Sequence, residues 1–241
     1  MGAVGKSTAE PKLPDAVKIT SQEQIKQLQK DMGQTGFEAG DPNQTPNSKL
    51  YVKTGKAFNI NAFLNSDGAT ILSSNSNWNG LVEKPWIQNA IQQIDKGMKP
   101  LTESVQVSRF LDGNSLGYMI PNMGVNKGNF NEFVSKLESG EISPKTFQTA
   151  LKDAEYTHKG YTSTTYTQQH GSYGSRDVRL NMVMQKGTPA IVTNNHAENE
   201  ILGGRGLQYH FTGGYRIETM PSGKKQLVLD VWVDNGGKPL F

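Results

Sequence analysis

In the second half of this chain the apolar residues stop recurring at helical spacing and begin to alternate. That change of period limits the available folds more than any other feature. Residues 105–110, 178–184, 190–192, 207–211, 215–218 and 227–233 carry the two-residue repeat of half-buried strands. Met220-Pro-Ser-Gly-Lys224 supplies a hairpin turn between the last two. Helical spacing dominates earlier. Residues 21–30 have Ser21 as a candidate N-cap and Gln24 to complete a capping box. Residues 84–94 admit Pro85 in the first turn and align Trp86, Ile87, Ala90, Ile91 and Ile94. Residues 129–137 put Phe130, Phe133, Val134 and Leu137 on one face, and residues 143–154 open on Ser143-Pro144 and bury Phe147, Ala150 and Leu151. Helices first and crowded strands afterwards indicate an α+β fold rather than alternating βαβ units.

Residues 1–48 are polar and rich in Pro, Gly, Gln and Asn, and read as tail and linker around one short helix, with turn chemistry at Asp41-Pro-Asn-Gln-Thr-Pro-Asn47. The main domain is expected over 49–241. A total of 241 residues is enough for one substantial core. A net charge of +3 with no dense basic run makes nucleic acid an unexpected partner. No apolar run reaches the roughly 20 residues of a membrane span, and the N-terminus lacks the apolar stretch of a secretory signal. Absence of cysteine excludes disulfides, thiolate metal sites and cysteine nucleophiles. The four histidines, His158, His170, His196 and His210, are too widely spaced to suggest zinc, so no metal is expected. Gly2-Ala-Val-Gly-Lys-Ser-Thr8 imitates a phosphate loop, but two residues separate its glycines where four are needed and no strand precedes it.

The chemistry concentrates elsewhere. His196-Ala-Glu198-Asn-Glu200-Ile-Leu202 brings two carboxylates one residue apart into an apolar run. If the pair opens a strand, both side chains share a face, an arrangement that is costly unless a cation meets them or one takes a proton. Arg109 interrupts an alternating strand, and an inward guanidinium must be paired or bind an anion because it cannot shed its charge. His158-Lys-Gly160-Tyr161-Thr-Ser163-Thr164-Thr165 is a strand ending in hydroxyls. A Gly-rich loop, residues 167–176, follows it and carries Tyr173 and Arg176.

In this order and spacing the pieces resemble the Arg–Ser–Glu class of mono-ADP-ribosyltransferases, the group of the actin-modifying binary toxins and related bacterial and phage enzymes. The resemblance covers roughly residues 50 to 241, through Gly160-Tyr-Thr-Ser-Thr-Thr165 and Glu198-Asn-Glu-Ile-Leu-Gly-Gly-Arg-Gly206. It implies two packed, largely antiparallel sheets around an NAD cleft, with NAD as co-substrate. It also implies Arg109 on the pyrophosphate or nicotinamide ribose, Ser163 orienting Glu200, and Glu200 on the ribose 2′-hydroxyl, stabilising the developing cation. Glu198, on the loop before the strand, would receive the acceptor, since a glutamate there goes with arginine acceptors in this class. Phe110, Gly160, Tyr161 and Thr164 would line the cofactor, Thr164 and Thr165 would support the strand, Tyr173 would stack on nicotinamide and Arg176 would assist at a phosphate. The partners implied are NAD and an arginine-bearing target protein, actin among the family's targets, acted on by a monomer delivered through a secretion system, carrier or phage. Three details differ from the class pattern. Ser-Thr-Thr replaces the commoner Ser-Thr-Ser, Phe110 stands where a second Arg is usual, and Asn194-Asn195-His196 lacks the usual target-contacting aromatic.

Two other readings use the same acids. A retaining glycosidase needs carboxylates about 5–5.5 Å apart, but leaves Arg109 and the Ser163 strand without a role. A non-enzymatic β-rich binding module would leave both acids solvated.

Overall fold

The computed structural model describes residues 12–34, 51, 57–69, 83–167, 173–193 and 198–237. The imitation phosphate loop and the 41–47 turn lie outside these. The elements are β1 (Val17–Lys18), α1 (Gln22–Asp31), α2 (Ala57–Asn65), α3 (Lys84–Gly97), β2 (Lys99–Pro100), β3 (Val105–Leu111) and α4 (Ser115–Met119). They continue with α5 (Phe130–Ser139), α6 (Pro144–Lys152), β4 (Tyr156–Thr165), β5 (Val178–Met184), β6 (Pro189–Val192), β7 (Glu200–Thr219) and β8 (Lys225–Asp234).

Local chemistry explains the helix ends. Ser21 Oγ accepts from the Gln24 amide and Gln24 Oε1 accepts from the Ser21 amide, the reciprocal capping box that the sequence foreshadows. Ser143 Oγ caps α6 through the Thr146 amide, ahead of Pro144 in the first turn. Gly140 ends α5 in the left-handed conformation that glycine adopts at little cost.

Strands β1-β3-β5-β8-β7-β6-β2 are hydrogen-bonded in that order, and β4 pairs with both β3 and β7. The sequence separates 207–211 from 215–218, but both belong to the 20-residue β7. A register shift between Phe211 and Tyr215 is what breaks the alternation. The first half of β7 pairs with β4 and β6, the second with β8. One eight-stranded sheet therefore folds on itself. Its halves meet where Met184 of β5 packs against Gly203 of β7, whose added Cβ would lie 2.9 Å from Met184 Cε. Most pairings are antiparallel, with β1–β3 and β5–β8 parallel.

The main core lies between these halves and under α1, α5 and α6, and includes Val107, Leu180, Leu229, Phe133 and Phe147. A second core on the far side of β4, β6 and β7 joins α2 and α3 through Ile60, Phe63, Ile87, Ile94, Ile191 and Leu202.

The short helix expected within residues 1–48 packs on the main domain: β1 extends the sheet beside β3, and Ile25, Leu28 and Met32 sit in the main core. A narrow apolar stripe in an otherwise polar helix was enough to dock it, and overall composition conceals such a stripe. Among the described residues no helix is long and apolar enough to cross a membrane.

Candidate active site

Pairing of β4 with β7 sets Ser163 opposite Leu202 and Thr165 opposite Glu200. Ser163 Oγ donates to Glu200 Oε1 at 2.5 Å, and Thr193, just past β6, donates its hydroxyl to Oε2 at 3.0 Å. Glu200 is 3% exposed. Burial, the largest influence, and the neighbouring Glu198 charge raise its carboxyl, the two hydroxyls oppose them, and the net midpoint is pushed up to about 7.

Glu198 does not share a strand face with Glu200. β7 begins at Glu200, and Asn199 has φ +48, so the period-two expectation fails one residue too early. Asn199 holds this turn: Tyr166 donates its hydroxyl to Asn199 Oδ1 and its amide to Asn199 O, both at 3.0 Å. Gln22 of α1 donates to that same Tyr166 hydroxyl, and Gln34 accepts from the Val192 amide on β6. This N-terminal segment thus braces the turn before the buried acid and the strand that leads to Thr193.

Arg109 is half-buried on β3. Its Nη1 donates to the Tyr209 hydroxyl at 3.1 Å and its Nη2 lies 3.2 Å from His158 Nε2. Tyr209 Oη lies 3.1 Å from Thr162 Oγ1 and His158 Nδ1 lies 3.1 Å from Tyr156 Oη. Among the described residues no carboxylate pairs with this guanidinium. A partly desolvated cation held by neutral groups, with N–H donors to spare, is suited to an anionic ligand.

Tyr51 connects the two sides. It is 4% exposed, accepts from Asn61 Nδ2 at 2.8 Å and meets Tyr161 edge-on at 5.7 Å. Burial raises its hydroxyl strongly. Glu200 and Glu198 add to that rise and Arg109 opposes it. Glu200, Glu198 and Arg109 thus all act on this one buried hydroxyl. Sequence reasoning missed Tyr51, His158, Thr193 and Tyr209 as site neighbours; each is an ordinary strand or linker residue until the pairing is known.

Several expected cofactor residues have other surroundings. Tyr161 is fully buried in the second core, and its hydroxyl donates to Asp95 Oδ1 at 2.7 Å and to the Ile91 carbonyl at 3.1 Å. Arg205 grips the same Asp95 at 2.9 Å, so these residues clamp α3 to the sheet. Gly160 is buried against α2, where an added Cβ would lie 2.7 Å from Asn61 Oδ1. Thr164 donates to the Ile201 carbonyl at 2.6 Å, and Thr165 bonds to Thr167 at 2.9 Å, both strand supports. Phe110 is 9% exposed on β3. Arg176 lies over the Tyr173 ring at 4.7 Å and 3.8 Å from Asp112 Oδ1, beyond the end of β3. Residues 168–172 of that loop, and Asn194-Asn195-His196, lie outside the described residues.

Chemically, a held cation faces an anion, and a buried carboxylate can offset a positive charge that develops beside it. Both demands are met by a ligand that is anionic at one end and becomes cationic at the other.

The family model described as ADP-ribosyltransferase exoenzyme matches residues 21–234. No curated protein matches the sequence. Among solved structures the fold is similar to Plx2a, an ADP-ribosyltransferase toxin from Paenibacillus larvae, at 19% identity and TM-score 0.59, covering 88% of this chain and 94% of that one. It is similar to C3stau2 from S. aureus, solved with NAD, at 17% identity and TM-score 0.58, covering 91% and 99%. It is also similar to BECa, an ADP-ribosylating toxin of a binary enterotoxin of C. perfringens solved with NADH, at 17% identity and TM-score 0.59, where it covers 88% of this chain and 48% of that one. The chain therefore spans about half the length of BECa.

Proposed function

The chain belongs to the ADP-ribosyltransferase exoenzyme family, enzymes that take ADP-ribose from NAD, and on that premise we propose that it transfers the group to an arginine of a target protein. The observation that carries this reading is the buried Glu200, fixed by Ser163 and Thr193, with Glu198 on the turn just before it and Arg109 acting with both acids on the Tyr51 hydroxyl.

The residues fit the dinucleotide. Arg109, held only by neutral partners among the described residues, has donors for the pyrophosphate or the adjoining ribose. Glu200 accepts the 2′-hydroxyl of the nicotinamide ribose. As the bond from C1′ to nicotinamide breaks, its electron pair leaves with the ring, and the Glu200 carboxylate stabilises the positive charge on the sugar. Ser163 and Thr193 keep that carboxylate pointed and favour its ionised form against the effect of burial. Glu198 pairs with the incoming guanidinium, aligns it with C1′ and takes the proton released as the new C–N bond forms. The products are ADP-ribosyl-arginine, nicotinamide and a proton. Actin, a target of the binary-toxin enzymes that the sequence resembles, is the first protein to assay.

The glycosidase reading gives Arg109 no anion to hold, and the binding-module reading gives no reason to bury Glu200 at an energetic cost. Incubation with labelled NAD tests the proposal: nicotinamide release with label on agmatine or on arginines of a lysate protein is expected. Label confined to asparagine or cysteine overturns the acceptor, and no release of nicotinamide overturns the activity.

A further inference from the structure

The Arg109 guanidinium rests on one strand by two routes. Directly, Nη2 reaches His158 of β4, and indirectly, Nη1 reaches Tyr209, which lies beside Thr162 of β4. Ser163, the next residue on β4, orients Glu200. A single strand therefore sets the aim of both the anion-binding and the cation-stabilising groups.

The His158 contact has a chemical requirement that the Tyr209 contact lacks. A guanidinium has only donors, so His158 Nε2 must be the unprotonated ring nitrogen. The proton then sits on Nδ1, donated to Tyr156 Oη at 3.1 Å. Gly160 leaves room for this ring, since a Cβ there would lie 3.3 Å from His158 Nε2. The titratable groups facing His158 are Arg109 from β3, Tyr156 from its own strand and Tyr209 from β7, while α2 presents the uncharged Asn61 beside Gly160. Lys159 turns away to Asp67. Among the described residues no carboxylate bonds to the His158 ring.

We infer that His158 is a positioning residue for NAD binding whose neutral ring holds Arg109 in place and whose protonation releases it. This rests on the reading that Arg109 binds the pyrophosphate or adjoining ribose. Burial and the adjacent guanidinium disfavour the charged ring and outweigh a backbone hydrogen bond with Tyr161 that favours it, so the ring stays neutral well below the usual histidine range and release belongs to acidic pH. The effect falls on NAD affinity, because the guanidinium contacts a part of the ligand whose charge does not change during the reaction.

Nicotinamide release is measured from about pH 8.5 down to the acid limit at which the fold is retained, for wild type, His158→Gln and His158→Ala, with KM and kcat separated. Gln supplies an oxygen acceptor that does not titrate. His158→Gln is expected to keep KM within about threefold at pH 8 and to lose the acid rise in KM that wild type shows. His158→Ala is expected to raise KM about tenfold across the range with kcat little changed. Superimposable KM profiles for wild type and His158→Gln overturn the inference, as does an unchanged KM in His158→Ala. Histidine ring 15N shifts give a readout that needs no turnover. Wild-type His158 should be the Nδ1-protonated tautomer, and Arg109→Met should move its titration towards the ordinary range. An Nε2-protonated ring, or a titration indifferent to Arg109→Met, sinks the inference even if NAD is hydrolysed. Failure of wild type to release nicotinamide with the NMR result intact instead sinks the activity.

Discussion

Ser163 Oγ donates to Glu200 Oε1 at 2.5 Å across the β4–β7 pairing, and this bond sets the working state of the buried acid. Burial alone would keep Glu200 protonated at neutral pH, whereas the Ser163 and Thr193 hydroxyls bring its midpoint back to about 7. Ser163→Ala should therefore move the acid limb of kcat/KM above pH 7 and lower the rate at neutral pH about tenfold. A pH–rate profile checks both, and a limb that stays in place would show that Ser163 does not tune the acid.

Glu200 itself should oppose stability at working pH. Its folded-state midpoint is raised from 4.5 to about 7, so the protonated form favours folding below 4.5 and that contribution is lost as pH rises through about 7. The shift corresponds to about 3 kcal/mol. Glu200→Gln should abolish most transfer, by about a thousandfold, yet melt about 6–12 °C above wild type at pH 8 and close to it at pH 5. His158, shifted in the opposite direction, loses its contribution below its ordinary midpoint of 6.5. It does so in both proteins, so the difference in melting temperature isolates Glu200.

Glu198 separates bond cleavage from acceptor attack. Glu198→Gln should reduce transfer to arginine about a hundredfold while leaving much of the nicotinamide release in water. Because the Glu198 charge raises Glu200, the same variant should shift the acid limb of NAD hydrolysis to lower pH. Parallel losses of transfer and hydrolysis would remove the acceptor role.

Tyr161 separates a packing role from a cofactor role. Tyr161→Phe removes a hydrogen bond to Asp95 at 2.7 Å inside the second core. It should cost about 1–3 kcal/mol of stability and leave KM for NAD unchanged. Denaturant melts with NAD kinetics decide the matter; a large rise in KM with stability intact would restore Tyr161 to the ligand site.

The sequence by itself determined a good deal. Its alternating and helical periods indicated the α+β class, and the capping box at Ser21 and the Ser143-Pro144 start were legible because they depend on residues three apart. Glu198 and Glu200 stood out because paired charges entering an apolar run are costly without a partner, and Arg109 and Ser163 through the order and spacing that resemble the Arg–Ser–Glu class. Only the tertiary structure decided how those residues are held. Strand pairing brings Thr193 to Glu200, His158 and Tyr209 to Arg109, and α1 to the turn before the acid, contacts between residues up to 144 positions apart. It also turned Tyr161 towards Asp95 and set Gly160 against Asn61. Local propensity acts over a few residues, whereas burial, and with it the proton affinity of Glu200 and His158, is a property of what the folded chain brings together.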